Sequence, residues 1–269
     1  MKLRFPSLDQ AFACLEAREV CLSLGGQRVL KPVSFSACAG ELVVIIGPNG
    51  AGKSSLLRLL AGEYSPDHGE LILHEQRLAE MSLDQRAAHI SVLSQHSRLN
   101  FPFTVEQVVA MGRMPFSLGY QADQEICEQA MKATDCYEFR DRTYTQLSGG
   151  EQQRCQLARV FTQSWPAEEG RPNYILLDEP NNCLDLSHQK ILLDYCRKRT
   201  DDNAVVLMVL HDLNLAFQYA DRILLMHEGR LYANGSPWEV VESGLLESVY
   251  GVKLHYSAHP EKNVPMVIM

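Results

Sequence analysis

The chain has 269 residues, 46% of them apolar, enough for one large domain or two small ones with a sizeable core. Lys and Arg number 25 against 33 Asp and Glu, a formal charge of −8 that argues against general nucleic-acid binding. The longest apolar run, AVVLMVL (Ala204–Leu210), is far too short to span a bilayer, and MKLRFPSLDQAFACLEAREV has no apolar core of a signal peptide, so a cytosolic chain is expected.

Along the chain, residues 14–46 read as strands and turns, ending in ELVVIIG, an apolar run typical of a strand buried on both faces. SSLLRLLA (Ser54–Ala61) reads as a helix stopped by Gly62. Strand character returns over 69–95, with LDQRAAH as a short helix. The middle is helical: Thr104 and Gln107 have capping-box spacing, and DQEICEQAMKAT is predicted to start on Asp123 as N-cap. This region, about 98–150, is expected to be a helical subdomain inserted into one domain spanning 1–269. Strands and helices then alternate through YILLD, SHQKILLDYCRKR, AVVLMVLH and LNLAFQYA, which argues for a largely parallel sheet covered by helices. ILLMHEGRLYANG predicts a hairpin around Glu228-Gly229, and Ser236, Pro237 and Glu239 mark a strong helix start. Eight scattered cysteines lack any CxxC pair and read as thiols, mostly buried; zinc is the sharper alternative, without ligand spacing to support it.

Three motifs carry chemistry. GPNGAGKSS (Gly47, Pro48, Asn49, Gly50, Ala51, Gly52, Lys53, Ser54, Ser55) follows a buried-type strand and opens a helix. Glycines let backbone N–H groups wrap a phosphate chain at a helix N-terminus, Lys53 reaches the terminal phosphates, and Ser54 ligates magnesium. YILLDEP ends a second such strand in two carboxylates, at a strand tip where α/β sheets place ligands. There Asp178 is expected to hold magnesium and Glu179 to polarise the attacking water. LSGGEQQR puts Ser148, Gly149 and Gly150 at another helix start, a second anion-binding end in one chain.

Together these motifs, with Gln95, the NNCLD loop and VLHDLNLA, resemble in kind and order the ATP-binding subunits of ABC transporters, across nearly the whole chain. The resemblance implies a P-loop NTPase cassette: a mostly parallel core sheet, an N-terminal antiparallel β subdomain and an inserted helical subdomain. It implies ATP and Mg2+ as cofactors and an ATPase acting as a homodimer, the signature of one copy closing over the ATP of the other. It further implies that Gln95 contacts magnesium, His211 the terminal phosphate, and that Asp185 lies in the loop crossing the dimer interface. The adenine-stacking position falls by register at Leu22, where an aromatic is usual, and NNCLD replaces the commoner TSALD, keeping hydrogen-bonding capacity at Asn181 and Asn182.

With one cassette and no span, the expected partner is a separate transmembrane permease dimer, fed by a periplasmic heme-binding protein, with the chain peripheral on the cytoplasmic face of the bacterial inner membrane. So few residues follow Gly244 that a regulatory domain like that of some sugar-importer cassettes is not expected. HDLNLA with LDLSHQ resembles the iron-chelate, heme and cobalamin branch. SWPAEEGRPN (Ser164–Asn173) and FPFTVEQVVAMGRMP resemble its hemin importers; ferric siderophore or cobalamin stays open as cargo. The middle helices, Thr104 to about Thr134, are expected to face the permease beside Gln95, with Arg113 either a contact or a solvated helix end.

Overall fold

A computed structural model describes residues 14–95, 99–116, 119–165 and 172–268. Strands β1 (Cys14–Leu24) and β2 (Gln27–Cys38) pair antiparallel, followed by β3 (Leu42–Ile46) and α1 (Lys53–Leu60). Next come β4 (His68–Leu73), β5 (Gln76–Arg77), α2 (Leu83–His89) and β6 (Ile90–Leu93). Helices α3 (Val105–Ala110), α4 (Tyr120–Ala133) and α5 (Gly149–Gln163) fill the middle. Then β7 (Tyr174–Asp178), α6 (Leu186–Asp201), β8 (Val205–Val209) and α7 (Leu213–Tyr219) alternate. The hairpin β9 (Arg222–His227) and β10 (Arg230–Gly235), helices α8 (Pro237–Glu242) and α9 (Leu245–Tyr250), and strands β11 (His255–Ala258) and β12 (Pro265–Ile268) complete the order.

The six-stranded sheet runs β10-β9-β3-β8-β7-β6, parallel throughout except for the β9–β10 hairpin. Every residue of β3, β7 and β8 is buried, as expected of strands covered on both faces. Alternation sorts them between two cores. Val43 and Ile45 pack with α1 and the antiparallel sheet β2-β1-β4-β5, whereas Leu42, Val44 and Ile46 face the core shared with α3, α5 and α6. The parallel strands all end near one another, which brings the loops after β3, β6, β7 and β8 to one edge of the sheet.

The local signals hold at several ends. Thr104 with Gln107 and Ser236 with Glu239 form capping boxes, with Pro237 opening α8. Gly62, at φ 73°, follows α1 and its N–H donates to Leu59 O. Glu228 and Gly229 both have positive φ in the β9–β10 turn.

Three expectations need correction. Helix α4 begins four residues earlier than Asp123 as N-cap implies, with Gly119 in that position; Asp123 sits inside the first turn and pairs with Arg113 at 2.8 Å. Arg113 is therefore neither a solvated helix end nor a free contact. It is 4% exposed, also donates to Thr162 O at 2.8 Å, and lies over the Phe116 ring. Cys14 and Cys38 are cross-strand partners joined by a disulfide, so these two are not thiols; a separation of 24 residues carries no sequence signal for such a pair. His255 opens β11 and His259 follows its end.

Most of the Ser164–Asn173 detour, residues 166–171, lies outside the described residues. Its ends are pinned together: Asn173 Nδ2 donates to Ser164 O at 2.9 Å, and Arg199 Nη2 from α6 donates to the same carbonyl at 2.9 Å.

Candidate active site

The loop from Gly47 to Gly52 joins the end of β3 to the start of α1. At Gly47, φ is 145° and a Cβ would lie 2.1 Å from Met226 O on the neighbouring strand, so only glycine fits. At Gly52, φ is 95° and a Cβ would come within 2.8 Å of Leu30. This cradle is held by backbone geometry that no larger residue tolerates.

Lys53, the first residue of α1, is 6% exposed. Its Nζ folds back on the loop, donating to Gly47 O at 2.8 Å and Pro48 O at 3.0 Å. Burial lowers its pKa, while the charges of Glu179 and Asp178 work the other way. Beside it, Ser54 Oγ donates to Asp178 Oδ1 at 3.0 Å. Asp178 is 2% exposed and its other oxygen, Oδ2, is buried without a partner among the described residues. Burial pushes this carboxyl up, against the pull of the Ser54 bond.

Glu179 caps the tip of β7 at φ 50°, a strained conformation for a non-glycine residue. Both of its carboxylate oxygens are engaged. His211 Nε2 lies 2.6 Å from Oε1, while Gln95 Nε2 and Asn182 Nδ2 both donate to Oε2, at 2.9 Å and 2.6 Å. Burial works to raise this carboxyl, but the bonds from His211, Asn182 and Gln95 outweigh it and hold it below the ordinary glutamate value. The four residues come from three different loops, after β6, β7 and β8.

Asn49 to Ser55, Gln95, Glu179 and His211 line a single cleft of about 590 Å³. A hollow of about 670 Å³ lies elsewhere, lined by Arg18, Tyr64 and Arg77 among others, and contains none of these residues. Gly47 and Pro48 contribute carbonyls to the floor through Lys53 rather than lining the opening. The cleft fits a magnesium nucleotide: a glycine cradle with N–H groups at a helix start, a buried lysine, and the Ser54–Asp178 pair with one unsatisfied carboxylate oxygen.

Leu22 does not belong to the site. It is 3% exposed, opposite Leu30 in the core of the antiparallel sheet. Register irregularities on both sides of Leu22 interrupt the alternation of β1, so counting along the strand misplaces it. Val29, one residue before buried Leu30, lines the cleft instead.

Ser148, Gly149, Gly150 and Asp185 also stand outside the cleft. Ser148 caps α5 in a capping box with Glu151, and the exposed start of that helix packs on the loop after β7. A Cβ at Gly150 would lie 2.9 Å from Cys183 O, and Gln153 Nε2 donates to Pro180 O at 2.9 Å. Asp185 caps α6, accepting from Ser187 Oγ at 2.7 Å and from His188 N at 2.9 Å, with His188 Nδ1 at 2.8 Å. These bonds hold its carboxyl far below the ordinary aspartate value. His188 Nε2 in turn reaches Arg154 of α5 at 3.2 Å.

The fold and the cleft define an ATP-binding cassette: residues 30–182 match the ABC transporter family, and the chain belongs to it. Among relatives, the hemin import ATP-binding protein HmuV of Pseudomonas putida is 45% identical over 94% of this chain and 99% of its own length. The protein of the same name from Mesorhizobium japonicum is 42% identical over 94% of this chain and 97% of its own. An ATP-binding subunit of an ABC transporter superposes with TM-score 0.78 at 24% identity, covering 88% of this chain and 98% of that one, which bears on the fold alone. A bacterial Atm1-family ABC exporter with ATP bound gives TM-score 0.76 at 26% identity, covering 91% of this chain and 42% of the exporter.

Proposed function

We propose that the chain is the ATP-hydrolysing, energy-coupling subunit of a hemin import ABC transporter. The observation that carries the hydrolytic part is the Glu179 carboxylate at the β7 tip, kept ionised between His211 and Gln95 at the mouth of the glycine cradle. The cargo rests on relatives named as hemin import subunits that match nearly end to end.

In this reading the N–H groups of Gly50 to Ser55 and the Lys53 ammonium bind the phosphate chain, leaving their present carbonyl contacts to do so. Ser54 and Asp178, joined by Gln95, would hold Mg2+, and the ion would supply charge neutralisation for phosphoryl transfer. Glu179 orients and polarises the water, and His211 steadies the terminal phosphate. Ser148, Gly149 and Asp185 are exposed and Gly150 half-buried, all outside the cleft, which suits contact with the nucleotide of a second copy. No helix among the described residues is long and apolar enough to cross a membrane. A permease helix would seat in the groove of about 290 Å³ between α2 and α5, beside exposed Leu83, placing the chain on the cytoplasmic face of the inner membrane. A periplasmic heme-binding protein enters only through that permease.

The test is ATPase rate in liposomes carrying the chain with its permease, with the binding protein empty, heme-loaded or loaded with a ferric siderophore. Stimulation by the heme-loaded form alone is expected. Stimulation by the siderophore form instead would keep the importer and overturn the cargo.

A further inference from the structure

The loop after β7 departs from the pattern of its resemblance at Asn181 and Asn182, and the second of these touches the hydrolytic carboxylate. Asn182 Nδ2 donates to Glu179 Oε2 at 2.6 Å, shorter than the 2.9 Å bond from Gln95 to the same oxygen. With His211 on Oε1 at 2.6 Å, each oxygen has a partner and Oε2 carries two. A carboxylate offers about four lone-pair sites, so Oε2 with two donors is filled, and a water oriented from that side must displace Gln95 or Asn182. Gln95 and His211 line the cleft, where bound nucleotide would compete for them; Asn182 does not line it and reaches the carboxylate from the exposed loop.

That loop is mechanically tied to the start of α5. Cys183, at φ 63°, presents its carbonyl to Gly150, and Gln153 holds Pro180 O at 2.9 Å. Asn182 N–H donates to Glu179 O at 3.2 Å, so the side chain swings about a short turn anchored on Glu179 itself. A second copy seated on the exposed α5 start would press on this loop from outside.

We propose that Asn182 is a positioning residue that clamps the Glu179 carboxylate in the lone cassette and lets go when a second copy packs against the α5 start. The inference rests on the ATPase reading above. A charge-assisted bond is made in the resting state and absent when water is oriented, so it restrains the ground state more than the transition state.

The experiment measures steady-state MgATP hydrolysis by the purified full chain without permease. Asn182→Ala is expected to raise basal kcat about tenfold, the size of losing one bond to a charged group. KM for ATP and the melting temperature should stay at wild-type values, which separates release of a clamp from general loosening. Asn182→Ser, too short to reach the carboxylate, should behave alike, and adding Glu179→Gln to either should abolish the gain. An unchanged or lowered kcat in both Asn182 variants overturns the clamp alone. Turnover that survives Glu179→Gln in the wild-type background overturns the ATPase assignment of Glu179 and the clamp with it.

Discussion

His211 Nε2 sits 2.6 Å from Glu179 Oε1, joining the loops that end two adjacent parallel strands, β8 and β7. The contact spans 32 positions of sequence and depends on neither side chain being deeply buried: His211 is 43% exposed and Glu179 12%. Replacing Glu179 by Gln removes the base and keeps the shape. We expect ATP binding to persist, a closed dimer to be trapped, and turnover to fall by roughly 10²–10⁴-fold, read by single-turnover phosphate release and size-exclusion chromatography with ATP. Normal turnover would remove Glu179 from its role.

Lys53→Ala should weaken ATP binding by about tenfold or more, because a buried ammonium aimed into the cradle is lost. Titration with a fluorescent ATP analogue checks it. Unchanged affinity would count against the phosphate loop.

The pH dependence follows from the depressed Glu179 carboxyl. Its folded value lies below the ordinary 4.5, so the stability it contributes is present above the unfolded value and lost only as pH falls through the folded one. The acid limb of the hydrolysis profile assigned to Glu179 should therefore lie below pH 4.5. Removing a donor, as in His211→Ala, should move that limb upward; a downward move would contradict the hydrogen bonds as its cause.

Asp123→Ala should destabilise the helical subdomain by about 2–3 kcal/mol, since it strips the carboxylate from a guanidinium only 4% exposed. Urea unfolding reads the change. ATP affinity should be untouched, because neither residue lines the cleft.

Thiol labelling at pH 8 should mark Cys183 alone among the free cysteines. It is the exposed one, whereas burial pushes Cys127 and Cys136 up to about 11 and Cys196 up to about 12. Mass spectrometry of the native protein after maleimide treatment decides it.

What could be read from the residues was the part encoded locally. The glycine cradle, the two carboxylates at a strand tip and the capping boxes each need only neighbours a few positions apart. What escaped depends on partners far along the chain. Leu22 was misplaced because irregularities in β1 upset the alternation on which register counting relies. Arg113 looked like a surface residue because its carboxylate and carbonyl partners, Asp123 and Thr162, lie 10 and 49 positions away. Asn182 could be seen as a departure in NNCLD, but not as a ligand of Glu179, since the turn that aims it depends on the positive φ of both Glu179 and Cys183.

The bond from Asn173 to Ser164 closes the neck of the long connection before β7, and Arg199 locks the same carbonyl from α6. Register of β7 is thus decoupled from how many residues the connection contains. An epitope or fluorophore spliced between those two positions would ride on a closed collar, giving a reporter handle on the cassette that leaves the strand carrying Asp178 where it is.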